Sequence, residues 1–185
     1  MLTGERTALN FLQILSGTAS LTQQYVNKIK NTNIKLLDTR KTIPGMRLAQ
    51  KYAVKCGGGH NHRLGLYDAV LIKENHIAAC GSITQAVEQA RKLYPKNTIE
   101  VEVNNLNEFA QAQSTSANII MLDNFTLKDM KSAVKAKTSK AKLEISGGID
   151  LSNITKFAKA GIDYISVGAL TKNVTPVDLS MLFEV

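Results

Sequence analysis

The chain has no tryptophan, three prolines, two cysteines and only 5% aromatic residues among 185. The few aromatics are not interleaved with basic residues, so there is no stacking platform for single-stranded nucleic acid. The two cysteines, Cys56 and Cys80, lack CxxC spacing and build no disulfide framework, which points to the cytosol. No apolar run approaches the roughly 18 residues of a membrane span. The stretch Met1 to Arg6 has no basic segment leading into an apolar one, so no secretory signal is read there. The net charge is +8, yet no run of five or more like charges occurs. Lys128, Lys131 and Lys135 fall on one expected helix and read as its solvated face. The expected partners are therefore small polyanions, not nucleic acid or membrane.

What is present is a recurring pattern. Six apolar runs each end in a charged residue or a glycine turn: at Asp38-Thr39-Arg40-Lys41, Lys73, Glu102, Asp123, Ser146-Gly147-Gly148 and Gly168-Ala169. One site built from many strand ends is the layout of a parallel β/α barrel enzyme. Periodicity predicts helices over 6–19 and 20–30, then strands at 34–37, 69–72, 99–103, 118–122, 142–145 and 164–167. Helices are expected between them at 45–55, 83–94, 106–113, 126–137 and 152–160, with Ser82 and Thr126 as N-caps. Short connections make the sheet parallel. Six strands are too few for a closed eight-stranded barrel, and the pattern alone leaves an open α/β barrel and a doubly wound sheet both standing. Residues 1–185 read as a single domain.

Several positions carry chemistry. Arg40 offers a planar fork for a carboxylate or phosphate and Lys41 a point charge. Gly57-Gly58-Gly59 precedes His60, His62 and Arg63, and glycines let a backbone approach a ligand closely. His60 and His62 lack a third nitrogen or sulfur ligand nearby, so a metal pair there is weakly supported. Glu100 and Glu102 alternate with apolar residues and share one face of their strand. Glu102 and Asp123 together make a Mg²⁺ site; a salt bridge from Glu102 to Lys73 or Lys41 is the competing reading. Ser146-Gly147-Gly148 and Val167-Gly168-Ala169 present backbone amides suited to phosphate.

These motifs together resemble the quinolinate phosphoribosyltransferases, the carboxylating nicotinate-nucleotide pyrophosphorylases. The resemblance rests on Glu5-Arg6-Thr7, Leu37-Asp38-Thr39-Arg40-Lys41-Thr42, Gly57-Gly58-Gly59, Asn61-His62-Arg63-Leu64-Gly65, Lys73-Glu74-Asn75-His76, Glu100-Val101-Glu102, Asp123-Asn124, Ser146-Gly147-Gly148-Ile149 and Ser166-Val167-Gly168-Ala169. It covers nearly the whole chain, in order, with Glu74 where the family commonly has Asp.

It implies an incomplete, TIM-like α/β barrel with N-terminal helices. It also implies the joining of quinolinate to 5-phosphoribosyl-1-pyrophosphate with release of pyrophosphate and CO2, a step of NAD biosynthesis. By motif, Arg40, His62 and Arg63 would grip the quinolinate carboxylates, and Thr39 beside them would be a further substrate-binding residue. Arg6 would reach a neighbouring subunit's site, and Lys41 and Lys73 would face the anions between the two ligands. Glu102 and Asp123 would hold ribose hydroxyls and Mg²⁺. The Ser146–Gly148 and Val167–Ala169 turns would bind the 5-phosphate. The family's N-terminal α/β domain is absent before Glu5, so a site without its cover is expected to turn over slowly. A barrel that binds phosphate ligands without turnover is the alternative. Residues 1–30 are expected to lie at a homodimer or higher homo-oligomer interface.

Overall fold

The computed structural model describes residues 2–182. Helix α1 (Leu2–Ile29) leads into β1 (Lys35–Leu37), α2 (Arg47–Cys56), β2 (Val70–Ile72), α3 (Glu74–Cys80) and α4 (Ile83–Leu93). Then follow β3 (Ile99–Val103), α5 (Leu106–Gln113), β4 (Ile119–Asp123), α6 (Leu127–Ala136), β5 (Lys142–Ser146), α7 (Ile154–Ala158), β6 (Tyr164–Ser166) and α8 (Ala169–Lys172). All strands pair in parallel in the order β1-β6-β5-β4-β3-β2. β1 and β2 do not pair, so the ring stays open. His60 forms an isolated parallel bridge with Leu37 along the outer edge of β1.

Period-two alternation sorts each strand between two faces. Ile99, Val101, Val103, Ile120, Leu122, Leu143, Ile145 and Ile165 are fully buried in one apolar core, which the helices cover. Glu100, Glu102, Met121, Asp123, Glu144, Ser146, Tyr164 and Ser166 line cavities in the interior instead. One of these cavities touches residues from β2 to β6 and the segment after β1. A flat sheet would not gather them, so the strands curl around it, and the open barrel replaces the doubly wound alternative.

Ser82, Asn105 and Thr126 each accept a hydrogen bond from the amide three residues on, starting α4, α5 and α6. Two predicted N-terminal helices are one helix, α1. A Cβ at Gly17 would collide with the backbone of Thr175. The glycine admits the C-terminal segment, whose Val177 amide donates to the Gln13 carbonyl. The glycine triplet also has a different role from the expected one. Side chains at Gly57 and Gly59 would strike Thr22 of α1, so these glycines serve helix packing and not ligand approach.

Candidate active site

A cavity of about 400 Å³ opens at the carboxyl ends of the strands, the face where barrel enzymes place their chemistry. Thr39, Arg40, Lys41, His62, Arg63, Lys73, Glu102, Asp123 and Ser146 all line it, together with Leu71, Met121 and Ser166. Nine of the expected site residues thus meet in one place. Arg6 does not line it; it lies on an exposed part of α1.

One side of the cavity is cationic. Arg40 and Arg63 come from the segments after β1 and before β2. Burial, followed by the neighbouring charge of Arg40, lowers the pKa of Arg63, while Glu100 and Asp68 oppose the shift. The two guanidinium groups therefore repel each other, a repulsion that an anion between them would relieve. Arg40 Nε is buried with no hydrogen-bond partner among the described residues, a donor left over for a ligand.

The other side mixes charges. Lys73 Nζ lies 2.5 Å from Glu102 Oε2. The competing salt-bridge reading of Glu102 therefore holds, with Lys73 as its partner. Asp123 accepts one hydrogen bond, from Asn124 Nδ2 at 2.7 Å. Among the described residues Glu102 Oε1 and the second Asp123 oxygen make no hydrogen bond, so these strand ends retain acidic oxygens of the kind Mg²⁺ takes. Asn124 sits at φ 54 and its amide donates to the Ser146 carbonyl. A side chain at Gly147, itself at φ 91, would meet Asn124. The two turns interlock and only glycine fits.

Gly168 packs beside Thr39 and Lys41. The Val167 amide is engaged by the Leu37 carbonyl. The later turn is left with the amides of Gly168 and Ala169 at the start of α8, where helix amides lack intrahelical partners.

Beneath the cavity lies a layer that the pattern of strand ends did not reveal. His62 Nε2 is 2.9 Å from Glu100 Oε2 and 3.7 Å from Glu144 Oε1. Burial alone would lower the pKa of His62, but the hydrogen bond and charge of Glu100, aided by Glu144, raise it. Glu144 is wholly buried. Burial first, then the charge of Glu100, lifts its pKa to about 8, against the pull of His62. Glu144 therefore keeps a proton at neutral pH.

Among the described residues His62, Glu100 and Glu144 alone gather three potential metal ligands, within 4.8 Å of one another. The Arg63 amide donates to His62 Nδ1 at 2.8 Å, which assigns the ring proton to Nε2, the atom facing the carboxylates. That proton points at Glu100 and occupies the nitrogen a metal would need, while neither oxygen of Glu144 has a hydrogen-bond partner among the described residues. His60 is exposed and does not join the group.

Asp38 and Lys51 form a second hidden pair. Both are buried and their charges meet at 2.5 Å. Burial dominates both shifts, raising the pKa of Asp38 and lowering that of Lys51, with their mutual attraction opposing each.

The sequence profile described as "Quinolinate phosphoribosyl transferase, C-terminal domain" matches residues 18–182. The chain belongs to the quinolinate phosphoribosyltransferase family. The nicotinate-nucleotide pyrophosphorylase structure from Francisella tularensis superposes with a TM-score of 0.93 at 57% identity, over 97% of this chain and 64% of that one. The carboxylating nicotinate-nucleotide pyrophosphorylase of Mycobacterium leprae is 44% identical, over 98% of this chain and 65% of the relative. A Nicotiana tabacum protein named quinolinate phosphoribosyltransferase (decarboxylating) 2a is 37% identical, over 97% and 56%. The chain spans less than two thirds of the length of these relatives, at 64%, 65% and 56%. The open barrel implied by the family resemblance is the fold this chain has.

Proposed function

We propose that this barrel joins quinolinate to 5-phosphoribosyl-1-pyrophosphate, giving nicotinate mononucleotide, pyrophosphate and CO2. The observation that carries the reading is the partition of one cavity. Two guanidinium groups with an unengaged donor lie on one side, and two strand-end carboxylates with a lysine lie on the other. Arg40 and Arg63 match the two carboxylates of the pyridine ring. To add a bond to them, His62 must give up either the Arg63 amide or Glu100. Thr39 and Lys41 border the Gly168 turn, and Lys41 and Lys73 face the leaving pyrophosphate. Glu102 and Asp123 take the ribose hydroxyls and hold Mg²⁺, which when bound supplies charge neutralisation for the pyrophosphate. The amides of Gly147, Gly148, Gly168 and Ala169 take the 5-phosphate, with Ser146 beside them.

The pyridine nitrogen attacks the ribose C1 as the bond from C1 to the pyrophosphate oxygen breaks. The ring becomes a pyridinium. The carboxylate beside the nitrogen then leaves as CO2, its electron pair stays on the ring carbon next to the positive nitrogen, and that carbon takes a proton from water. No protein nucleophile is needed; the chain positions two anions and offsets their charge. A Schiff-base role for Lys73, as in an aldolase, would leave Arg40 and Arg63 without a function.

The chain works as a homodimer in the cytoplasm, apart from nucleic acid and membrane. Both cysteines are free, and among the described residues no helix is long and apolar enough to cross a membrane. Phe11 and Leu12 of α1 and Leu48 and Tyr52 of the adjoining α2 are more than half exposed, a surface that a second copy would cover. Arg6, on the same helix, then approaches the partner's cavity.

The test is to supply quinolinate, phosphoribosyl pyrophosphate and Mg²⁺ and follow both products. One CO2 per pyrophosphate is expected. Binding of both ligands with no product would make this a barrel that holds phosphates without turnover.

A further inference from the structure

Helix α2 touches the cavity with none of its side chains, yet it carries two inward-turned basic residues four positions apart. Both bridge the same two segments. Arg47 donates from Nη2 to the Arg40 carbonyl at 3.2 Å and from Nε to Thr42 Oγ1 at 3.2 Å, and its Nη1 reaches the Leu64 carbonyl at 3.5 Å. One turn on, Lys51 Nζ donates to Asp38 Oδ1 at 2.5 Å and to the His62 carbonyl at 2.9 Å. The Asp38 carboxylate also receives the His62 amide at 2.9 Å and Asn61 Nδ2 at 2.6 Å. Asn61 closes the ring by donating to the Lys51 carbonyl at 2.8 Å. Arg40 leaves the first bridged segment and Arg63 the second.

We propose that Arg47 and Lys51 are positioning residues that fix the spacing of Arg40 and Arg63, and so select a ligand with two adjacent carboxylates over one with a single carboxylate. The inference rests on the function proposed above.

Its physical basis is the burial of the clamp. Lys51 is 1% exposed and Asp38 0%. A buried ion pair adds little net stability, because removing both charges from water offsets their attraction. The burial-driven shifts on both partners agree with that balance. What the pair does supply is geometry, since each charge has fixed hydrogen-bond partners in different segments. Two guanidinium groups left to themselves would move apart. Held together, they present two forks to two carboxylates, and a monocarboxylate satisfies only one of them. Selection of the second carboxylate therefore depends on groups that never touch it.

The test uses Lys51→Met, which keeps the stem and removes the charge, and Arg47→Lys, which keeps the charge and loses the fork. Calorimetric titrations of quinolinate, nicotinate and phosphoribosyl pyrophosphate are compared with amide exchange at residues 60–63. Quinolinate affinity should fall about tenfold or more, as expected for misplaced charged hydrogen bonds. Nicotinate and phosphoribosyl pyrophosphate should stay within about twofold, a range that those same charged contacts would exceed if they were lost. Exchange at 60–63 should quicken while β3 to β5 stay protected. Equal losses for quinolinate and nicotinate, or unchanged affinity with unchanged exchange, would overturn the proposal. If Lys51→Met fails to fold, Arg47→Lys decides by the same ratio. If the unaltered chain binds no quinolinate, the functional reading fails and the selectivity falls with it. Unchanged exchange at 60–63 in a chain that does bind quinolinate overturns the clamp alone.

Discussion

The two sides of the cavity are built differently. Glu102, Asp123, Ser146 and Ser166 lie at or next to the ends of β3 to β6, and the parallel ladder fixes their backbone. Arg40, His62 and Arg63 sit on irregular segments, and side chains hold them in place: Asp38 and Lys51 from one direction, Glu100 and Glu144 from below. A sheet positions its strand ends through backbone bonds that any sequence makes. A loop needs named residues to do the same work, and those residues are buried and charged.

The largest expected difference between the sides is in stability. Asp38→Ala leaves Lys51 without its counter-ion in the interior and should cost about 3–5 kcal/mol, as breaking a buried pair does. Glu102→Gln on the other side removes the partner of a lysine that is 42% exposed, and should cost about 1 kcal/mol or less. Urea unfolding of both variants measures the contrast; equal costs would erase it.

A second effect is pH-dependent. The folded-state pKa of Glu144, about 8, stands above its ordinary 4.5. Between those values the native chain holds a proton that the unfolded chain has released, so stability should fall as pH rises from about 4.5 to about 8 and then level off. His62, also raised, acts with the same sign, its contribution fading as pH climbs through its folded value. Glu144→Gln keeps the shape and removes the titration. Its melting temperature should vary less across that window than the parent's, and an unchanged slope would show that the proton resides elsewhere.

A smaller effect concerns the carboxylate side alone. Asp123→Asn should raise the Mg²⁺ concentration needed for turnover while the melting temperature stays close to the parent's. Unfolding instead would mark Asp123 as a structural partner.

The same contrast governs what the sequence reveals. The alternation Ile99-Glu100-Val101-Glu102-Val103 predicts a strand with two inward carboxylates, and the strand falls on those five residues. α2 shows the opposite case. Leu48 and Tyr52 face outward at 72% and 69% exposed while Gln50 and Lys51 are buried beside Ala53 and Val54, so two of its large apolar side chains point away from the barrel and two polar ones point in. No rule of period finds a lysine whose partner lies thirteen residues earlier on a strand end. Glu144 reads as an ordinary interior alternation, and only the convergence of β3, β5 and the 60–63 segment makes it a proton holder. α3 and α8 are short enough that loop chemistry obscured them. His76 Nδ1 accepts the Lys73 amide to start α3, a bond that spacing does not announce.

The most direct test of the divided cavity is a crossed pair of titrations. Quinolinate and Mg²⁺-phosphoribosyl pyrophosphate are each titrated into the parent, Arg63→Ala and Asp123→Asn. Loss of a charged hydrogen-bonding fork should weaken quinolinate by about 1.5–3 kcal/mol in Arg63→Ala and leave the phosphoribosyl ligand nearly unchanged. Asp123→Asn should show the reverse. Equal losses of both ligands in either variant would contradict the assignment of one anion to each side.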